Sequence, residues 1–243
     1  MRLPRRRSVK SPDAITLRPA GPADLELLRR WDQQPHVIAS DPNDDWGWET
    51  ELARSPDWRE QLIAEVDGRP LGFIQIIDPA REETHYWGAA PENMRAVDLW
   101  IGEAADLGKG YGTQMMQLAL ERCFADPAVI SVLLDPLKSN TRSHRFYERL
   151  GFRCMGQRRF GKDDCLVYRV DRRSHESNRI TAYGVCATAG VVLMVLAAVL
   201  PEHWYPVPML FTGIALLAAS HMLKPCVERI EQLRKARKSV IQL

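Results

Sequence analysis

A three-glycine loop set between a strand and a helix constrains this chain more than any other feature. Val97-Asp98-Leu99-Trp100-Ile101-Gly102 reads as the strand, and Leu107-Gly108-Lys109-Gly110-Tyr111-Gly112-Thr113 reads as a loop that opens the helix. Gly108, Gly110 and Gly112 take side chains out of a tight turn, so the backbone is free to adopt positive φ and approach a ligand closely. The helix that follows offers unpaired N–H groups and the positive end of its dipole, a combination that receives phosphate. Lys109 adds a mobile cation beside it. Glycine triplets also serve as plain strand-to-helix turns. What makes this one specific is the order of the segments after it: an apolar helix, a buried strand, Ser139-Asn140, and Tyr147-Glu148-Arg149-Leu150-Gly151-Phe152.

Around this stretch the sequence predicts a mixed sheet with helices on both sides, an α/β (α+β mixed-sheet) domain over residues 14–172. Ile15 to Arg18 is a short strand. Pro22 starts a helix with Leu25, Leu28 and Trp31 on one face. Residues 35–56 are loop-rich. Gln61 to Val66 and Pro70 to Ile77 are strands joined at Asp67-Gly68, a hairpin signal. A polar connection follows from Asp78 to Asn93, then the strand Arg95 to Ile101. Gly112 to Phe124 is a helix that turns Met115, Met116, Ala119, Leu120, Cys123 and Phe124 toward the core. Val129 to Leu134 has the composition of a strand buried on both faces. Ser139 or Asn140 caps the next helix and Gly151 stops it. Phe152 to Gly156 and Leu166 to Val170 form a final strand pair.

In this order the residues resemble the acetyl-coenzyme A site of the GNAT superfamily of N-acetyltransferases. The family loop reads Arg/Gln-x-x-Gly-x-Gly; Leu107 stands here where Arg or Gln is usual, so that side-chain contact is lost while the backbone cradle is kept. Asn140, Tyr147 and Gly151-Phe152 match the second signature. Val97-Asp98, residues 107–113, Asp126-Pro127, Asp135-Pro136 and Ser139-Asn140 are most similar to the aminoglycoside 6′-N-acetyltransferases, over a resemblance running from Ile15 to Val170. It implies acetyl-CoA as the acetyl donor and no metal. The backbone of Leu99, Trp100 and Ile101 and the side chain of Asn140 would hold the pantetheine arm. Gly108, Lys109, Gly110, Tyr111, Gly112 and Thr113 would hold the pyrophosphate.

Acetyl transfer needs a neutral amine, and amines with the basicity of lysine arrive protonated at pH 7. A carboxylate beside the amine binds the cation and takes its proton. Asp98 points opposite to Val97 and Leu99 on its strand; by itself this reads either as a catalytic group or as a charge on a solvated face, and the resemblance makes it catalytic and substrate-binding. Tyr147 alone reads as a core aromatic, and Asn140 as a helix cap; the resemblance makes Tyr147 the general acid. For a polycationic acceptor the resemblance adds Asp135, Trp46, Trp48, Tyr86 and Trp87 as substrate-binding, with Asp41, Asp44 and Asp45 adding negative field. Ordinary packing is the alternative for the tryptophans. One departure stands out: the family aspartate before paired tryptophans is missing from Glu82-Glu83-Thr84-His85-Tyr86-Trp87, where a glutamate is its substitute.

The net charge of +2 gives no electrostatic case for nucleic acid. Five cysteines without a Cys-x-x-Cys pair, and histidines without His-Glu-x-x-His spacing, fit neither a disulfide framework nor a metal site. Residues 1–13 form a basic arm with no apolar run behind it, unlike a secretory signal. After a basic linker at 173–179, residues 180–200 hold no charged residue, enough at ~1.5 Å per residue to span ~30 Å of hydrocarbon. Residues 207–223 form a second apolar run, and buried core helices are the alternative for both. Read as a two-helix transmembrane hairpin, they are flanked by Arg and Lys on both sides with none in the 201–206 turn. This puts the catalytic domain and both termini on the cytoplasmic face of the inner membrane. The tail, 224–243, is basic with Val227, Ile230 and Leu233 at helical spacing, suited to the membrane surface.

The expectation is therefore a membrane-tethered N-acetyltransferase acting on a small-molecule amine, first the 6′-amine of an aminoglycoside. A siderophore-type hydroxylysine or a peptide amine is the runner-up. The relatives that acylate hydroxylysine carry a histidine where Asp98 stands. A non-catalytic CoA-binding module is the third reading.

Overall fold

The computed structural model describes residues 14–43 and 45–177. The chain divides into two units after Ser174, and every element below belongs to the first. Among the described residues no helix is long and apolar enough to cross a membrane. The expected hairpin at 180–200 and 207–223, the basic arm, the tail and Asp44 lie outside the described residues.

Seven strands form one sheet in the order β1-β2-β3-β4-β5-β7-β6. They are β1 (Ile15–Pro19), β2 (Arg59–Val66), β3 (Arg69–Ile77), β4 (Met94–Ile101), β5 (Ser131–Leu134), β6 (Arg153–Phe160) and β7 (Asp163–Asp171). Asp67 and Gly68 join β2 to β3 with φ of +51° and +75°, the double positive φ that a type I′ turn demands. All neighbours are antiparallel except β4 and β5.

Period-two alternation assigns the two faces of the sheet. Leu62, Ala64, Ile74, Ile76 and Val97 point to one face, where they meet Met115, Met116, Ala119 and Leu120 of α4 (Tyr111–Cys123). Ile63 and Phe73 point to the other, where they meet Leu28 and Trp31 of α1 (Leu25–Asp32) and Trp48 of α3 (Trp48–Glu51). A third cluster on Trp87, Ala96, Leu133, Phe160 and Cys165 lies under the 78–93 connection.

The stretch read as loop, 35–56, holds two one-turn helices, α2 (Pro35–Ile38) and α3, too short to show a helical period. The final strands are longer than their alternation predicts. Residues 153–159 of β6 are exposed on both faces of an edge strand, so no apolar pattern marks them. β7 inserts between β5 and β6.

Gly102 ends β4 against the indole of Trp31, and a Cβ there would fall inside the ring. Trp31 is fully buried and its Nε1–H donates to Glu103 at 3.2 Å, so it has no room to yield. We expect Gly102→Ala to destabilise the domain by about 2 kcal/mol, within the range for overpacked cores. Thermal unfolding followed by circular dichroism checks it; an unchanged Tm would show that α1 moves freely.

Candidate active site

The site is created by a break in the sheet. β4 and β5 pair in parallel only at Met94↔Ser131, Arg95↔Val132 and Ala96↔Leu133. Beyond Ala96, β4 continues to Ile101 paired to β3 alone. Gly102 N–H donates to the Leu71 carbonyl, so in an antiparallel ladder the alternate residues Leu99 and Ile101 turn their N–H and C=O groups away from β3, into the gap. His36 Nε2, from α2, meets the Ile101 carbonyl at 2.8 Å. This leaves Leu99 and the Ile101 N–H to an incoming polar chain, whereas the Trp100 backbone, expected to join them, faces β3 and Trp100 meets the cleft by lining its wall.

Past this edge the chain turns into the glycine loop. Gly108 and Gly110 take φ of +76° and +87°, and Gly110 caps α4 with no side chain over the first turn. Gly112 lies within α4, as its place at the start of the expected helix requires, and a Cβ there would make only an ordinary contact with Phe146 at 3.6 Å, so the positive-φ part of the loop is confined to Gly108 and Gly110. Lys109 is also not a loose cation, since its Nζ is paired with Asp106 at 3.0 Å. Open N–H groups at the start of a 13-residue helix, two positive-φ glycines and an unpaired strand edge fit a phosphate-bearing coenzyme with an extended amide arm.

On the face away from α4 the gap opens into a cleft of about 1160 Å³, above the ~300–1,000 Å³ typical of a site for one ligand and so large enough for two reactants. Among the described residues, nine carboxylates line it against three cations, Arg54, Arg59 and Lys162. Arg59 pairs with Glu51, and Arg54 with Glu51 and Glu83, so the excess is negative.

Asp98, Asp135, Tyr147, Asn140, Leu99, Trp100, Trp46, Tyr86 and Trp87 all line this cleft. Asp98 is on the face shared with Gln75 and Gln61, in register across three strands (Gln61↔Gln75↔Asp98). Gln61 Nε2 donates to Gln75 Oε1 at 3.0 Å, which turns the Gln75 amide so that its Nε2 donates to Asp98 Oδ2 at 3.4 Å. The sequence reading missed both glutamines; a polar residue in the apolar run Leu71-Gly-Phe-Ile-Gln75-Ile-Ile77 was the available signal.

Tyr147, on α5 (Thr141–Arg149), belongs to the core on the α4 side and reaches the cleft where β4 and β5 part. Burial, and then the negative charge of Asp98 and Asp135, hold its phenol far above the ordinary tyrosine range. It is therefore a neutral proton carrier in the field of two carboxylates. Asn140 is the cap of α5, its Oδ1 accepting from Ser143 N–H at 3.1 Å, and it lines the cleft.

Asp135, just after β5, accepts a hydrogen bond from Tyr86 Oη at 2.7 Å. Burial pushes its carboxyl up to about 6, although the Tyr86 hydroxyl works the other way. Tyr86 is held by stacking on Phe160 at 4.6 Å, and Trp87 packs edge-on to the same ring. Trp46 lines the cleft, whereas Trp48 is buried behind it, stacked at 5.0 Å and donating through Nε1 to Asp32. Trp48 thus supports the wall without forming it. Neither glutamate takes the place of the missing aspartate. Glu82 is buried with its carboxylate accepting from the N–H groups of Thr84 (2.6 Å) and Tyr86 (2.9 Å), and Glu83 is paired with Arg54 at 2.7 Å. Among the described residues no group of His, Cys, Asp or Glu is arranged to hold a metal ion.

The profile of the acetyltransferase (GNAT) domain family matches residues 21–160, more than half the chain. The aminoglycoside N(6′)-acetyltransferase type 1 of Klebsiella pneumoniae is 30% identical over 160 residues, covering 60% of this chain and 77% of that one. A lysine N-acyltransferase of Mycobacterium tuberculosis is 25% identical over 155 residues, covering 58% and 70%. The crystal structure of aminoglycoside acetyltransferase AAC(6′)-Ib with coenzyme A and kanamycin superposes with a TM-score of 0.63 at 26% identity, covering 68% of this chain and 99% of that one.

Proposed function

The chain belongs to the GNAT acetyltransferases and acts with acetyl-CoA, and we propose that the amine it acetylates is that of a small polycation, the 6′-amine of an aminoglycoside. The observation that carries this reading is the convergence of Asp98 and Tyr147 on one cleft with a carboxylate excess, beside the β4–β5 break.

Bound along the open β4 edge, acetyl-CoA supplies an acetyl group as a thioester. The residues of the chain do the rest. Asp98 receives the ammonium and takes its proton, directly or through water, to expose the nucleophilic lone pair. Backbone N–H groups of Leu99 and Ile101 face the gap where the carbonyl oxygen gathers charge. Tyr147 holds its proton at Oη for the departing sulfur, and Asp135 and the outer carboxylates bind the remaining ammonium groups. Asn140 hydrogen-bonds the pantetheine arm.

Steady-state acetylation by the full-length chain tests this, comparing kanamycin-type aminoglycosides, Nε-hydroxylysine and peptide amines. Preferred turnover of the aminoglycosides is expected. Turnover of hydroxylysine or peptides alone would overturn the antibiotic assignment, and CoA binding without turnover of any amine would favour a binding module.

The Asp135 carboxyl gives a pH signature. A carboxyl whose value is about 6 is an anion above that pH and neutral below it. The KM for a polycationic acceptor should therefore rise as pH falls through about 6, and Asp135→Asn should carry the high KM at every pH. A KM that is flat between pH 5 and 8 would place Asp135 outside acceptor binding.

We further propose that residues 180–200 and 207–223 form a transmembrane hairpin that tethers the domain to the cytoplasmic face of the inner membrane. The uncharged runs and their basic flanks support it. Recovery in the membrane fraction after carbonate washing is the expected result; recovery in the soluble fraction would refute it.

A further inference from the structure

The phosphate loop lacks the arginine or glutamine usual at position 107, and the structure shows why Leu107 offers no substitute: it packs against the main core. A cation reaches the loop from another element. Asp106 is buried, and its two oxygens are taken by Lys109 Nζ at 3.0 Å and by Arg69 Nη1 at 2.7 Å. Arg69 opens β3, and the Gly102 N–H to Leu71 C=O bond holds that end of the hairpin against the end of β4 from which the loop departs. The Arg69 and Lys109 side chains are 51% and 52% exposed, while that of Asp106 is 6% exposed, so both cations lie at the surface with their counter-charge beneath them. The charge balance decides what this can do. Lys109 on Asp106 alone is a neutral pair; adding Arg69 leaves one net positive charge beside the loop, since Glu103, whose charge also acts on Arg69, is balanced by Arg30 at 3.6 Å.

We propose that Arg69 is a phosphate-binding residue of the coenzyme site, held beside Lys109 through Asp106 and supplying the side-chain cation that position 107 lacks. The guanidinium presents a planar fork of donors matched to phosphate oxygens, and hydrogen bonds between charged partners are the stronger kind. The proposal rests on acetyl-CoA being the donor. Coenzyme A carries both a pyrophosphate and a 3′-phosphate, and the same chemistry recognises either.

Isothermal titration of the full-length chain in mild detergent with CoA and with 3′-dephospho-CoA is the test. Arg69→Gln keeps a donor toward Asp106 without the charge, and we expect it to weaken CoA about tenfold, the scale of one charge-assisted contact. Arg69→Lys should recover part of that loss, and the loss should shrink at about 0.5 M salt, where screening shortens the reach of exposed charges. A loss that persists with dephospho-CoA assigns Arg69 to the pyrophosphate; a loss that vanishes assigns it to the 3′-phosphate. Affinity within about twofold of the unsubstituted chain for both ligands, with a lowered Tm, would overturn the proposal and leave Arg69 as a structural partner of Asp106. An unsubstituted chain that binds no CoA would overturn the donor assignment and this proposal together.

Discussion

Asp98→Asn is expected to lower kcat/KM for the acetylated amine by at least ~100-fold, the lower end of what a positioned general base contributes. Asparagine fills the same space and its Oδ1 still accepts from Gln75, so the Gln61–Gln75 ladder and the fold survive. What disappears is the negative charge that receives the ammonium and the site that takes its proton. The loss should fall mainly on kcat at saturating acceptor, because Asp135 and the outer carboxylates still attract a polycation. Two measurements accompany the kinetics: thermal unfolding, expected unchanged, and the pH–rate profile, expected altered. A variant with the rate and profile of the unsubstituted enzyme would mean that another carboxylate of the cleft does this work.

Tyr147→Phe is expected to lower kcat by ~100-fold with little change in KM, since the hydroxyl acts on the leaving group and not in binding. The ring remains to fill its place against Phe152 and Tyr168, and no described residue takes a hydrogen bond from or gives one to the hydroxyl, so stability should be nearly preserved. The environment supports the assignment. Burial and the negative field of Asp98 and Asp135 keep the phenol protonated throughout the physiological range, which suits a proton donor and excludes a phenolate base. Single-turnover rates with a thioester whose thiol is more acidic separate the cases. A general acid becomes less necessary as the leaving group improves, so the defect should narrow; a constant defect would make Tyr147 a packing residue.

Local rules recovered most of the fold because most elements carry their own signal. Asp67-Gly68 imposes a type I′ turn, Asn140 caps α5, and the apolar stripe of α4 faces the sheet as its spacing demands. The far half of β6, beyond the expected end at Gly156, escaped for the opposite reason: an edge strand exposed on both faces has no alternation to read. The same limit applies to individual residues. Trp46 and Trp48 are two positions apart and chemically identical, yet one lines the cleft and the other is buried beneath it. Glu82 and Glu83 offered carboxylates for a substrate, but backbone N–H groups and Arg54 consume them. Gln75 was hidden within an apolar strand, and its meaning comes only from a partner on each neighbouring strand.

What the amino-acid sequence determined by itself was the glycine-rich strand-to-helix turn and the order of the elements; the candidate proton carriers Asp98 and Tyr147 came from the family resemblance. The turn and that order reside in contiguous segments, where glycine conformational freedom, helix capping and side-chain chemistry act within a few residues. Tertiary structure alone decided where β4 and β5 stop pairing, that Tyr147 and Asp98 line the same cleft, and that Arg69 joins Lys109 on one buried carboxylate. Each of these depends on groups tens of residues apart in the chain being brought together, and the balance of burial and charge where they meet is a property of the packing and not of any segment.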